Sequence, residues 1–171
     1  MIYQTDPKNN FIVQHFGCYL FDLFKITQDI RGEDWDFAKV SDLYQKAMKA
    51  KLVGYLVGEV FYPGENTNPP QGCFVQDAAG VLELAGAPTF KILMGPLPAG
   101  MWTARDRPAS SIPDKTSIIQ KWHNDWTGFS HFVVGNTDGS VKWDPIHRGP
   151  GLGSVTVAEG RLVSMRLIQF V

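Results

Sequence analysis

The sequence predicts an α+β chain in which N-terminal helices pack on a C-terminal antiparallel sheet. Three observations lead there. The first half carries two long segments with helical spacing of apolar residues. The second half carries short apolar runs bounded by turn residues, and the two kinds of segment are segregated rather than alternating. At 171 residues the chain suits one domain spanning 1–171, long enough to bury a core without staples.

The opening MIYQTDPKNNF reads as a polar lead-in. It has neither a basic n-region nor an apolar h-region, so no secretion signal is expected. From Cys18 to about Ile30 the pattern is a helix apolar on nearly every side, with Tyr19, Leu20, Phe21, Leu23, Phe24 and Ile26. A narrow polar strip remains at Asp22, Lys25 and Gln28–Asp29, and such a helix belongs in the interior. Gly32 stops it. Asp36 to Leu52 reads as an amphipathic surface helix, with Phe37, Val40, Tyr44, Ala47 and Met48 on one stripe and lysines toward its end. Residues 62–72, YPGENTNPPQG, read as a loop, and a shorter helix is expected from about Phe74 to Leu84.

Beyond Pro88 the character changes. Phe90–Met94 is a short apolar run, and GPLPAG and RDRPASSIPD read as loops, with Arg105, Asp106 and Arg107 in a solvated turn. Ser117–Trp122, Phe129–Gly135, Ser140–Trp143, Ser154–Ala158 and Leu162–Val171 read as strands. No internal repeat or low-complexity tail is present.

Composition narrows the class. A formal net charge of −1 gives no electrostatic reason to expect a nucleic-acid partner, and no run approaches a membrane span, so no membrane partner is expected. The hydrophobic fraction of 44% and charged fraction of 19% fit an ordinary globular protein. Two cysteines, Cys18 and Cys73, make no disulfide framework, so a reducing, cytoplasmic setting is the expectation. With Cys18, the histidines His15, His123 and His147 lack the paired short spacings of a zinc site, so neither metal nor other cofactor is expected. The glycine-rich 149–153 opens no clear helix and is poor evidence for phosphate binding.

Two stretches carry chemistry. In QHFGCYLFDLF, Cys18 stands at the mouth of the apolar helix. It reads either as an inert core thiol or as a nucleophile at a helix N-terminus. In SHFVVGNTDGSVKWDP, two apolar strands flank NTDG, a hairpin signal. If Asn136–Gly139 form the loop, Gly135 faces Ser140 and His131 faces Asp144, with Cβ atoms about 4.5–5.5 Å apart. A two-residue Asp-Gly turn instead sets His131 opposite Ile146.

A histidine oriented by a carboxylate is two thirds of a nucleophilic triad, and Cys18 supplies the third part if the sheet meets that helix end. The helix dipole and an adjacent imidazolium then both favour the attacking thiolate. Gln14 reads as a cap, or as an oxyanion donor with the Cys18 N–H. Gly17 would allow close approach of the backbone to substrate. Trp126, on the loop before His131, reads as a residue bordering a cleft; Cys73 reads as packing.

Gln-x-x-x-Cys opening a buried helix, then SHFVVG, a Gly-containing turn and a strand ending in Asp-Pro, resembles the papain-like cysteine peptidases. It is most similar to their bacterial and phage C39-like group. The resemblance rests on two short blocks and leaves the middle of the chain unmatched. The family's glutamine lies further before its cysteine, and Tyr19 stands where a small residue often follows. The resemblance implies a papain-like fold with a helical left half and an antiparallel right half. It implies Cys18 as nucleophile, His131 as base, Asp144 as orienter and Gln14 as oxyanion residue of a peptidase or amidase. The substrate would be a peptide or protein. Two alternatives stay open: a peptidoglycan-cleaving enzyme on the same scaffold, and a papain-like binding protein without turnover.

Overall fold

Helix formation begins earlier than the hydrophobic pattern suggests. In the computed structural model, which describes residues 1–98 and 112–171, Asn10 caps a short helix α1 (Phe11–Phe16). Its side chain accepts from Val13 N at 2.9 Å. Six residues are too few to show a 3.6-residue period, so the polar lead-in hides this element. Gly17 turns the chain, and α2 (Cys18–Arg31) starts at Cys18. It ends at Gly32, where a φ of 66° gives a left-handed stop. The expected helix is present, with the expected start and stop. Gly17 is demanded by the α1–α2 elbow itself: a Cβ there would meet Val13 O at 2.6 Å.

Met1–Ala87 form one compact unit, and α2 is its centre. Leu20, Phe21, Leu23, Phe24 and Ile26 are buried, and so are Asp22, Thr27 and Gln28, so much of the expected polar strip faces protein. Two of these polar groups are accommodated locally. Thr27 Oγ1 donates to Leu23 O, and Gln28 Oε1 accepts from Trp35 N. α3 (Phe37–Lys49) is capped by Asp36 and buries Val40, Leu43, Tyr44 and Ala47. α2 packs on α4 (Ala78–Leu84), and so does α3.

Residues 53–75 correct the sequence reading. β1 (Val53–Val57), β2 (Val60–Pro63) and β5 (Phe74–Val75) form an antiparallel sheet of order β2-β1-β5. The span expected to be a loop contains the small hairpin β3 (Asn66–Thr67) and β4 (Pro70–Gln71). The helix expected from Phe74 begins only at Ala78, because Asp77 caps it by accepting from Gly80 N.

Pro88–Val171 form the second unit, built on one five-stranded sheet. Its strands are β6 (Phe90–Pro98), β7 (Thr116–His123), β8 (Ser130–Gly135), β9 (Val141–Trp143) and β10 (Arg161–Phe170). The order is β6-β10-β7-β8-β9 and every pairing is antiparallel. The last strand thus enters the sheet between β6 and β7. Ile112, Ile118, Met165 and Leu167 form a buried cluster on it. β6 continues through Gly95–Pro98, which had read as loop; the turn expected at Arg105–Arg107 lies outside the described residues. The strand expected at Ser154–Ala158 is a short helix, α5 (Val155–Ala158). Val155 and Val157 suggest a strand, but the Ser154 side chain accepts from Thr156 N and starts a helical turn. The chain is therefore α+β, with its helices concentrated in the first unit and its main antiparallel sheet in the second. Among the described residues no helix is long and apolar enough to cross a membrane.

Replacing Gly17 with alanine should destabilise the protein by about 1–3 kcal/mol, the usual cost of forcing atoms into a packed site. Urea unfolding of the Gly17→Ala variant measures this. An unchanged midpoint would mean that the elbow does not need the missing side chain.

Candidate functional site

The hairpin that carries His131 differs from its simplest reading by a loop one residue longer and by one bulge. The loop runs from Asn136 to Ser140, closed by Asn136 N donating to Ser140 O at 2.8 Å, and Gly135 pairs with Val141 rather than Ser140. The next pair is Val134 with Trp143, so Lys142 is the extra residue. Without the bulge, alternation would carry Asp144 to the face of Phe132, away from His131. With it, Asp144 returns to the face of Val133 and His131. The ladder ends at Trp143, so Asp144 is a diagonal neighbour of His131 rather than its direct partner.

Buried Gln120 on β7 holds this turn in place. Its Nε2 donates to Gly139 O at 3.0 Å, and a Cβ on Gly135 would lie 2.5 Å from its amide carbon. Its Oε1 accepts from Trp122 Nε1, and Trp122 stands opposite His131 in the β7–β8 ladder.

The diagonal distance is spanned. His131 Nε2 and Asp144 Oδ1 are 2.7 Å apart, with the two side chains only 4% and 11% exposed. Asp144 is held from its own side as well. Oδ1 also accepts from Ile146 N at 2.9 Å, and Oδ2 accepts from Ser154 N at 2.8 Å. Nε2 is thereby the ring nitrogen that faces the carboxylate, which sets the tautomer of a neutral ring. A cavity of about 300 Å³ opens beside Asp144, lined by Val141, Asp144, Arg148, Leu152, Ser154 and Val157 among others.

The other expected site residues lie as follows. Cys18, Gln14 and Gly17 belong to the first unit; His131, Asp144 and Trp126 belong to the second. Cys18 is the first residue of α2, partly exposed and free, and Gly17 offers that helix no side-chain cap. Gln14 lies on α1, not on an open lead-in. Its Nε2 donates to Asn9 O at 2.7 Å, so one of its two amide hydrogens is engaged at the start of α1. The reading of Gly17 as a point of close substrate approach gains a competing cause in the elbow contact. Trp126 is 93% exposed and Phe129 is 69% exposed. Their loop is firmly built: buried Asn124 accepts from Trp126 N and Thr127 N through Oδ1, and its carbonyl accepts from Gly128 N.

Several contributors were not legible beforehand. Gln4 is buried, and its Nε2 donates to Gln14 O at 2.9 Å, one turn before Cys18. The Ile146 and Ser154 amides were missed because a backbone donor carries no side-chain signature. Asn124 carried only the generic signal of an Asn at a turn.

The two thiols occupy different surroundings. Cys73 is buried and donates to Tyr44 OH at 3.4 Å, and burial pushes its pKa up to about 12. Among the described residues no group of three His, Cys, Asp or Glu side chains is placed to hold a metal ion. Compared with known proteins, the chain matches no family model, and no curated protein or solved structure matches it significantly.

Iodoacetamide at pH 8 should label Cys18 in the native protein and spare Cys73, with both labelled after unfolding; mass spectrometry of peptides reads the result. The raised Cys73 value also sets a sign for alkaline stability. The unfolded thiol ionises near pH 8.5–9 while the folded one retains its proton to about 12. Stability should therefore fall across that window, by up to about 1.4 kcal/mol per pH unit, and Cys73→Ala should flatten the slope.

At the other pair, Asp144→Ala strands His131 and two backbone donors. It should cost at least about 3 kcal/mol in chemical unfolding, because each orphaned buried donor costs about 1–3 kcal/mol. Asp144→Asn should cost less, since its carbonyl oxygen can still serve His131 and Ile146 N. Negligible costs in both variants would show that the carboxylate pairing adds nothing to the fold.

Proposed function

We propose that the chain is a cysteine hydrolase that cleaves a peptide or amide bond through an acyl-enzyme on Cys18. The observation that carries this reading is the buried His131–Asp144 hydrogen bond, with the carboxylate fixed by two further donors. A histidine locked in one tautomer at such a pair is poised for proton transfer. The position of Cys18 at the uncapped start of α2 supports the reading from the other unit. So does the resemblance to papain-like peptidases in the two blocks that hold these residues.

The chemistry follows. His131 takes the Cys18 proton through Nδ1 while Nε2–H stays on Asp144. The sulfur attacks the carbonyl carbon, forming an S–C bond and placing charge on the oxygen. Backbone N–H groups of the first turn of α2, Cys18 foremost, receive that oxyanion, with Gln14 contributing its second amide hydrogen. His131 then protonates the amine as the C–N bond breaks. In the second half it takes a proton from water, whose oxygen attacks the thioester and releases Cys18 as thiol. The role of Trp126, with Phe129, is to hold an apolar or flat part of the substrate beside His131. Such a surface accepts a side chain of a peptide or protein, or the sugar-linked peptide of peptidoglycan.

Turnover of a fluorogenic peptide library tests the reading. Cys18→Ala and His131→Ala should each lower kcat/KM by at least about 10³-fold, as loss of a nucleophile or its base does in serine hydrolases. Asp144→Asn should cost less than either, and Cys73→Ala should leave the rate within about twofold. A peptidyl electrophile should label Cys18 in the parent protein and react far more slowly in the His131→Ala variant. Equal losses for both cysteine variants, tracking a fall in melting temperature, would make the thiols structural. Binding of peptides with no cleavage in any variant would leave the scaffold a binding protein.

A further inference from the structure

The sheet does not position Asp144. Its last ladder residue is Trp143, and Pro145 follows with no N–H to give. A carboxylate with one partner would be free to turn about two torsions, and the hydrogen bond to His131 alone would not fix it. Something outside the sheet does.

That element is the loop between Gly149 and Ser154. It is closed on itself, with Arg148 N donating to Leu152 O and Leu152 N donating to Gly149 O, both at 3.0 Å. Gly149 and Gly151 take φ values of 147° and 72°, which side chains other than glycine's resist. The Arg148 guanidinium Nε donates to Gly153 O and ties the far end. From this loop Ser154 N donates to Asp144 Oδ2 at 2.8 Å. Gly153 lies flat against the same group: a Cβ there would be 2.7 Å from Oδ2, 3.2 Å from Cγ and 3.3 Å from the Asp144 Cβ.

We propose that this loop is a clamp that orients the Asp144 carboxylate toward His131, with Ser154 acting through its backbone N–H and Gly153 through its missing side chain. Both are positioning residues, acting through Asp144. The purpose of the clamp rests on the cysteine-hydrolase reading, while its geometry does not. Oδ2 is held by Ser154 N, so Oδ1 is left to face His131 Nε2 and Ile146 N. The glycine-rich stretch is thereby accounted for without a phosphate.

Ser154 allows a clean test. Its φ of −67° and ψ of 137° are those a proline adopts without strain, so Ser154→Pro removes the N–H while keeping the backbone path. The substitution also removes the hydroxyl that accepts from Thr156 N, and Ser154→Ala removes that hydroxyl alone. The difference between the two variants belongs to the N–H together with the proline ring carbon that takes the place of its hydrogen against Oδ2. The readout is the His131 Nε2–H resonance in imidazole-¹⁵N-labelled full-length protein, assigned by its loss in His131→Gln.

The downfield signal should persist in the parent and in Ser154→Ala. It should be lost or moved upfield in Ser154→Pro, as in Asp144→Asn. If Ser154→Pro fails to fold, Gly153→Ala is read in the same way, because its Cβ displaces Oδ2. An unchanged resonance in the folded variant overturns the clamp, whatever happens to activity. Retained hydrolysis in Cys18→Ala would overturn the hydrolase reading and leave the clamp standing, so the two failures are distinct.

Discussion

The alternation of side chains along a strand decides whether Asp144 can meet His131. Residues of one strand point to opposite faces in turn, so an offset of one places the carboxylate on the wrong side of the sheet. A plain five-residue loop from Asn136 to Ser140 would do that. The bulge between Gly135–Val141 and Val134–Trp143 restores the match. Gln120 holds the loop by the Gly139 carbonyl, and Gly135 must lack a side chain to admit it. The pair that gives this unit its chemical character thus depends on one extra residue at one turn.

The pair is also an economical use of buried polar groups. Taking a carboxylate and an imidazole from water is costly unless their hydrogen-bonding capacity is met. At Asp144 both oxygens are occupied, by the ring, by Ile146 N and by Ser154 N. The same donors that offset burial restrict rotation. Stability and orientation come from one set of contacts, which is why a structural role and a catalytic role are separated by spectroscopy and turnover together rather than by melting alone.

In the first unit the two cysteines show how local backbone and burial divide one chemistry into two behaviours. Cys73 sits at a φ of 59°, buried against Tyr44, whose hydroxyl donates to Glu65 at 2.7 Å. Burial, against the opposing effect of the Tyr44 hydrogen bond, keeps a proton on sulfur. Cys18 stands partly exposed at the first position of α2, after an elbow too tight for any residue but glycine at position 17. Gln4 completes the elbow from outside by donating to the Gln14 carbonyl. A helix whose apolar residues from Leu20 to Ile26 are buried behind Cys18 gives the thiol a fixed origin.

What the sequence by itself determined is local. The apolar run after Cys18 specified α2, Gly32 ended it, and the apolar segments around NTDG specified the hairpin and the candidates His131 and Asp144. The expected direct pairing was off by two positions, yet an offset of two preserves the face, so the hydrogen bond survived it. Tertiary structure decided the rest. α1 was too short to show a period; β5 is defined by a partner distant in sequence, whereas the β1–β2 hairpin closes across Gly58–Glu59 and is a local feature that the pattern of residues did not bring out; α5 turned on a serine hydroxyl against a strand-like Val-Thr-Val. The engaged amide of Gln14, the bulge and the Ser154 donor leave no pattern in the chain, because each depends on where a backbone group points once distant segments are in place. Periodicity is a property of neighbours along the chain, whereas the orientation of Asp144 is set by a loop ten residues away whose backbone donor has no side-chain signal.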